Sequence, residues 1–252
     1  MYQKIQFVLR DTMGVGKVRQ SALFHQIKQY VFRIIKWALI LFFGSSIFFT
    51  LLYRFVPPPF TPLMLIRAVE NMTSGKRPVI NKEWKSLSEI SPNLVLAVIA
   101  SEDNNFENHF GIDLKAIEKA QKLNEKGRKI RGASTISQQT AKNAFLWPAR
   151  NYLRKGLELY FTGLIELVWG KKRIMEVYLN IIEMGDGIYG AEAASQYYFH
   201  KAAKNLTRDE AASIATVLPN PRKWRPDRPT AYTSKIKART LWNMNNVEKP
   251  DW

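Results

Sequence analysis

Two dense polar clusters stand out in otherwise apolar, helical sequence. The first runs Glu102-Asp103-Asn104-Asn105-Phe106-Glu107-Asn108-His109-Phe110-Gly111. The second runs Gly132-Ala133-Ser134-Thr135-Ile136-Ser137-Gln138-Gln139, with Lys142-Asn143 behind it. A carboxylate beside apolar residues has its pKa raised by desolvation, which suits a general base or acid working near neutrality, and Glu102 is so placed. Ser134, Gln138, Gln139, Lys142 and Asn143, followed by Arg150, Arg154 and Lys155, group amides, hydroxyls and cations. Such groups suit pyrophosphate, whose oxygens accept charge-assisted hydrogen bonds. Asp103 is positioned to ligate a divalent cation together with substrate phosphate, since Mg²⁺ binds through one or two carboxylates plus phosphates. Glu158 is the second candidate carboxylate. It can equally be read as the partner of Arg154 or Lys155 on its own helix, at i, i+4 or i, i+3 spacing.

The elements that must carry these residues are helices. Residues 93–100 (Asn-Leu-Val-Leu-Ala-Val-Ile-Ala) predict a buried helix with Ser91 as N-cap and Pro92 at its first position, delivering Glu102 and Asp103 at its end. Asp113 to Lys126 reads as an amphipathic helix and 127–132 as a basic loop. Ser134 to Phe145 reads as a helix capped by Ser134 and ended by Pro148. Further helices are expected at Tyr152 to Val168, Lys172 to Asn180 and Asp209 to Val217, the last capped by Thr207. Period-2 patterns are scarce, so the fold class is mainly α.

Ahead of this domain, residues 1–36 carry seven Lys and Arg against one Asp. Trp37 to Tyr53 then runs 17 residues without a charge. It spans roughly 25 Å, and Ile34, Ile35, Phe55 and Val56, with Lys36 and Arg54 snorkelling, extend it to a hydrocarbon core of about 30 Å. The sequence therefore reads as a basic cytoplasmic segment (1–36), a transmembrane helix (37–56), a Pro-rich linker and entry segment (57–90) and a catalytic domain (91–252). The positive-inside bias puts the N-terminus in the cytoplasm and the domain outside.

The net charge of +17 calls for an anionic partner: nucleic acid, anionic lipid or a phosphorylated substrate. No helix-turn-helix, RNP or zinc-finger pattern supports nucleic acid. Lys115, Lys119 and Lys122 read as a solvated face. The chain has no cysteine, which excludes a disulfide framework or a thiolate site.

Glu102-Asp-x-x-Phe-x-x-His109-x-Gly111 and Gly132-Ala-Ser-Thr-Ile-Ser-Gln-Gln139-x-x-Lys142-Asn143 resemble the peptidoglycan glycosyltransferase (murein transglycosylase) family. Three more blocks match in the same order: Arg154-Lys155-x-x-Glu158, Lys172-x-x-Met-Glu176-x-Tyr178-Leu179-Asn180, and Tyr189-Gly190-Ala191-x-Ala193-Ala194. The monofunctional biosynthetic form is the nearest in kind. The resemblance implies a lysozyme-like domain behind a single anchor in the bacterial inner membrane, with the domain periplasmic or extracellular.

It also implies that lipid II is polymerised into β-1,4-linked glycan with release of undecaprenyl pyrophosphate. Glu102 would be the base on the acceptor hydroxyl, and Glu158 would assist departure of the pyrophosphate or position the cationic groups around it. Mg²⁺ or Mn²⁺ with that pyrophosphate is the one cofactor expected. The partners implied are lipid II, the growing lipid-linked glycan, the membrane, and proteins of cell-wall synthesis or division. Ser234-x-x-Lys237 matches an acyl-enzyme pattern, but without a Lys-Thr-Gly it reads as coincidence, so no cross-linking is expected. A muramidase-type hydrolase and a catalytically silent scaffold are the rival readings. Phe145-Leu146-Trp147 reads as apolar surface that dips into the outer leaflet.

Overall fold

Glu102 ends a helix whose every residue from Leu94 to Ala100 is buried, and the rest of the domain is layered around that helix. The computed structural model describes residues 2–75, 77–125, 134–149 and 151–252, without side chains for 2–24 and 124. The chain divides into two units, the residues up to Phe49 and Thr50–Trp252.

The first helix, α1, runs Tyr2–Phe55. Within His25–Phe55 the most apolar 18 residues have a mean hydropathy of 1.9, and the helix is long and apolar enough to cross a membrane. Large apolar side chains such as Phe32, Trp37, Leu41 and Phe48 are exposed along it. A helix that is apolar all round and unburied suits a lipid solvent.

In the second unit, the last turn of α1 is tied down by its carbonyls. Trp169 Nε1 donates to Thr50 O at 2.7 Å, and Arg173 Nη2 donates to Tyr53 O at 2.8 Å. Tyr53 O is one of the last four carbonyls, which a helix C-terminus leaves without intrahelical partners. The Pro-rich linker follows, held by Lys82 Nζ on Pro58 O and Pro59 O. Helix α2 (Pro62–Thr73) starts at Thr61, whose side chain accepts from Met64 N.

Helix α3 (Pro92–Glu102) is capped by Ser91 with Pro92 inside, as the sequence predicts. It packs on α9 (Arg208–Val217) and α10 (Ala231–Asn243), where Ala211, Ala212 and Ala215 are small enough for close approach. The second layer is α5 (Ile136–Phe145), α6 (Tyr152–Val168) and α7 (Gly170–Ile181), with Ile136, Phe161, Ile165, Ile174 and Tyr178 between them. Helix α4 (Leu114–Glu125) lies between the layers in sequence, opened by Asp113 Oδ1 accepting from Ala116 N. Helix α8 is Ala191–Phe199.

The mainly α expectation is met. Two features were not expected. One is a small sheet in the order β1 (Asn81–Lys82), β3 (Ile188–Tyr189), β2 (Glu183–Gly185), with β1 parallel and β2 antiparallel to β3. Its strands are two or three residues long, too short to show a period. The other is α10, whose polar first turn masks it; there Lys237 pairs with Asp209 of α9 at 2.5 Å. The start of α5 is also corrected: its N-cap is Thr135, not Ser134, and α5 ends at Phe145, ahead of Pro148.

Candidate active site

Glu102 stands at the carbonyl end of α3, where the helix dipole opposes a negative charge. Burial raises its pKa above the ordinary carboxylate range. A hydrogen bond from Gln139 works against that shift, Asp103 adds to it, and the charge of Lys142 lowers it. The Gln139 contact is Nε2 to Glu102 Oε2 at 2.8 Å, and Gln139 Oε1 in turn accepts from the Tyr178 hydroxyl at 3.3 Å. The site thus holds a carboxyl group that is a stronger base than a free one and is fixed in orientation.

Asp103 faces away from this chemistry. Its two oxygens each lie 3.0 Å from His109 Nε2, and Oδ2 also accepts from the Ile136 amide at 3.0 Å. The side chain is 3% exposed. It is therefore an acceptor for the first amide of α5 and for the ring that closes the loop after Glu102. The expectation that Asp103 ligates Mg²⁺ or Mn²⁺ does not fit this donor set. Among the described residues, no three His, Asp or Glu side chains converge either.

The same loop is stapled from α6 and α7. Lys171 Nζ donates to His109 O at 2.6 Å and to Glu166 Oε1 at 2.7 Å, and sits 4.6 Å from the centre of the Phe106 ring. Glu166 Oε1 also accepts from Ser137 Oγ at 2.5 Å. Thr135 Oγ1 donates to Gly111 O at 2.6 Å. Gly111, at φ +75°, turns the loop where a Cβ would meet Thr162 Cγ2 at 2.5 Å. His109 and Phe106 hold the loop together, their rings 6.4 Å apart edge to face. The partnership of Ser137, Glu166 and Lys171 escaped notice because nothing in their spacing, 29 and 34 residues apart, marks it.

Glu158 lies on the inner face of α6, its side chain 4% exposed, and pairs with both Arg154 and Lys155. The pairing predicted from spacing is therefore real. It does not exhaust the residue, because the buried Glu158 also acts through its charge on Lys142. Burial lowers the pKa of Lys142, the charge of Glu158 raises it, and Arg154 and Lys155 lower it again. The half-buried Lys142 thus feels the charge of both carboxylates, Glu102 and Glu158.

The remaining expected binding residues divide. Gln139, Lys142, Arg154 and Lys155 come together with the two glutamates. Gln138 does not face them as a ligand: it is buried, and its Oε1 accepts from Thr135 N in a capping box, so its role is to start α5. Asn143 is buried within the helix layer, with its Nδ2 unpartnered among the described groups. Ser134 is exposed ahead of the cap, and Arg150 and the basic loop 127–132 lie outside the described residues. Asn180 is scaffold, exchanging hydrogen bonds of 2.8 Å with the backbone of Lys85.

The expected apolar triplet is also corrected. Leu146 is 3% exposed, and Phe145 stacks between Phe161 and Tyr53. Only Trp147 of the three is open to solvent.

The profile of the family described as Transglycosylase matches residues 70–247. A Bdellovibrio bacteriovorus protein named biosynthetic peptidoglycan transglycosylase is 56% identical over 209 residues, covering 82% of this chain and 84% of its own. Proteins of the same name from Bacteroides thetaiotaomicron and Caulobacter vibrioides are 53% and 57% identical, covering 86% and 73% of this chain and 89% and 78% of their own.

Proposed function

The chain belongs to the transglycosylase family, a family of peptidoglycan glycosyltransferases, and we propose that it polymerises lipid II into β-1,4-linked glycan strands without cross-linking them. The observation that carries this reading is the geometry of the two glutamates, Glu102 held by Gln139 at 2.8 Å and Glu158 buried against Arg154 and Lys155, with the half-buried Lys142 in electrostatic reach of both.

In the reaction, Glu102 accepts the proton of the acceptor sugar's 4-hydroxyl as that oxygen attacks C1 of the donor's terminal N-acetylmuramyl residue. The bond from C1 to the pyrophosphate oxygen breaks, and its electron pair leaves with undecaprenyl pyrophosphate. One displacement on an α-linked donor gives the β product, so configuration inverts, as in inverting glycosidases with the sugar hydroxyl in place of water. The departing charge is met by Lys142, Arg154 and Lys155. Glu158 keeps these like charges together while the site is empty, so that their field is preorganised rather than assembled during the reaction. A partly desolvated lysine strengthens that field.

The apolar helix fits a single-pass anchor, with the N-terminus cytoplasmic by its Lys and Arg excess and the catalytic domain on the outer side of the inner membrane, where lipid-linked glycan grows. The Ser234 and Lys237 pattern supplies no second activity in this reading, because Lys237 is paired with Asp209.

The test is incubation of the purified full chain with lipid II, reading polymer on a gel. Wild type is expected to form strands, and Glu102→Gln to lose about 10²-fold or more of the rate, the scale of one general base. No polymer from either protein would favour a scaffold, and shortening of preformed glycan would favour a hydrolase.

A further inference from the structure

Tyr178 is fully buried on α7. Among the described residues, its hydroxyl has one hydrogen-bond partner, Gln139 Oε1 at 3.3 Å. A buried hydroxyl needs an acceptor for its proton. The phenol is also held neutral, its pKa raised well above the ordinary value first by burial and then by the charges of Glu102 and Asp103. It therefore remains an O–H donor throughout the working pH range.

The amide of Gln139 has two ends that differ in kind, one accepting and one donating. With Oε1 taken by the tyrosine, Nε2 is turned to Glu102 Oε2 at 2.8 Å. If the amide were reversed, a carbonyl oxygen would face the carboxylate and the tyrosine proton would lose its acceptor. Both changes are unfavourable, so the hydroxyl and the carboxylate hold the amide one way round. The other groups around Glu102 are Ser101, whose hydroxyl also hydrogen-bonds the carboxylate, Asp103 at the end of α3, and Lys142 on α5; among the described residues no hydrogen bond joins any of them to the Gln139 amide.

We propose that Tyr178 is a positioning residue: through the Gln139 side chain it keeps an N–H donor aimed at Glu102 and so holds that carboxylate in place for the acceptor hydroxyl. This rests on the reading of Glu102 as the base. Tyr178 itself touches no reacting atom.

The test is a double-mutant cycle on the full chain in detergent with lipid II, measuring kcat and KM for Tyr178→Phe, Gln139→Met and the double variant. Tyr178→Phe is expected to lower kcat roughly tenfold, the scale of one hydrogen bond, with KM within about twofold of wild type. The double variant is expected to be no slower than Gln139→Met alone, because the hydroxyl acts only through the amide. An unchanged kcat in Tyr178→Phe, a loss confined to KM, or a double variant as slow as the product of the two single losses would each overturn the proposal.

A second readout does not depend on turnover. In protein labelled with ¹⁵N-glutamine, the side-chain NH₂ signal assigned through Gln139→Met should move or broaden in Tyr178→Phe, and a signal that stays in place overturns the coupling. Glu102→Gln measured alongside tests the base separately: full activity there would sink the base while leaving the NMR result to stand or fall alone.

Discussion

His109 Nε2 lies 3.0 Å from both carboxylate oxygens of Asp103, and one of those oxygens also accepts the amide of Ile136 at the start of α5. Because an ionised carboxylate only accepts, the imidazole donates from Nε2. The pair joins the end of α3 to the beginning of α5. Glu102 is one residue before Asp103 and Gln139 is one turn after Ile136, so a single buried ion-and-amide junction sets the two halves of the base site against each other.

Asp103→Ala should therefore act on stability first. It leaves His109 Nε2–H and the Ile136 N–H without their acceptor, at about 1–3 kcal/mol for each buried group. Asp103→Asn keeps one carbonyl oxygen and should fall between Ala and wild type. Thermal unfolding and polymerisation, each with and without EDTA, check this. The loss of Tm is expected to be the same in EDTA. Intact stability together with a cation dependence that disappears in Asp103→Asn would restore the ligand role.

The raised pKa of Glu102 has two consequences of known sign. As a base it works only when ionised, so the polymerisation rate should rise with pH through a midpoint above the ordinary carboxylate value of about 4.3, and Glu102→Gln should have no such limb in its residual rate. For stability the sign is reversed. The folded state holds this proton more tightly than the unfolded state, so stability falls as pH climbs from the unfolded to the folded pKa. Glu102→Gln should then melt higher than wild type at neutral pH, with the difference closing below that window. Equal melting temperatures at neutral pH would show that the desolvation penalty is not borne by this group.

Much of the site was legible because its residues sit in contiguous blocks. Ser91 and Pro92 start α3 by local rules, and the apolar run behind them places Glu102 against a wall. Local rules also misled. Ser134 and Thr135 are equally good caps by type, and only the reciprocal bond from Thr135 to Gln138 decides between them; that same bond turns an expected substrate ligand into part of a helix start. Phe145-Leu146 has the composition of a membrane-facing patch, but α6, α7 and the end of α1 cover it. Asp103 reads as a metal ligand because nothing in the sequence pairs it with His109, six residues on, which takes both of its oxygens. Tyr178 sits 39 residues from Gln139, and nothing in one dimension joins a core tyrosine to a glutamine on another helix.

Gly111 tests how closely the loop after Glu102 must fit. Its φ of +75° suits glycine, and an added Cβ would lie 2.5 Å from Thr162 Cγ2 and 3.1 Å from Glu166 Cγ. Gly111→Ala should cost about 1–2 kcal/mol for the backbone conformation and a further 1–3 kcal/mol for overpacking. These two parts can be separated. Thr162→Ser removes the clashing methyl while a hydroxyl remains to donate to Glu158 O, as Thr162 Oγ1 does at 2.6 Å. In the Gly111→Ala background it should therefore recover part of the lost stability. Alone, it should cost little. A denaturant-unfolding cycle of the four proteins is expected to show a coupling of about 1 kcal/mol or more, with activity following stability as Glu166 returns to Ser137 and Lys171. Strict additivity would mean that the loop moves away from α6 when crowded. In that case Glu102 and Glu158 would be positioned independently, and the staple through Glu166 would not hold the loop to α6.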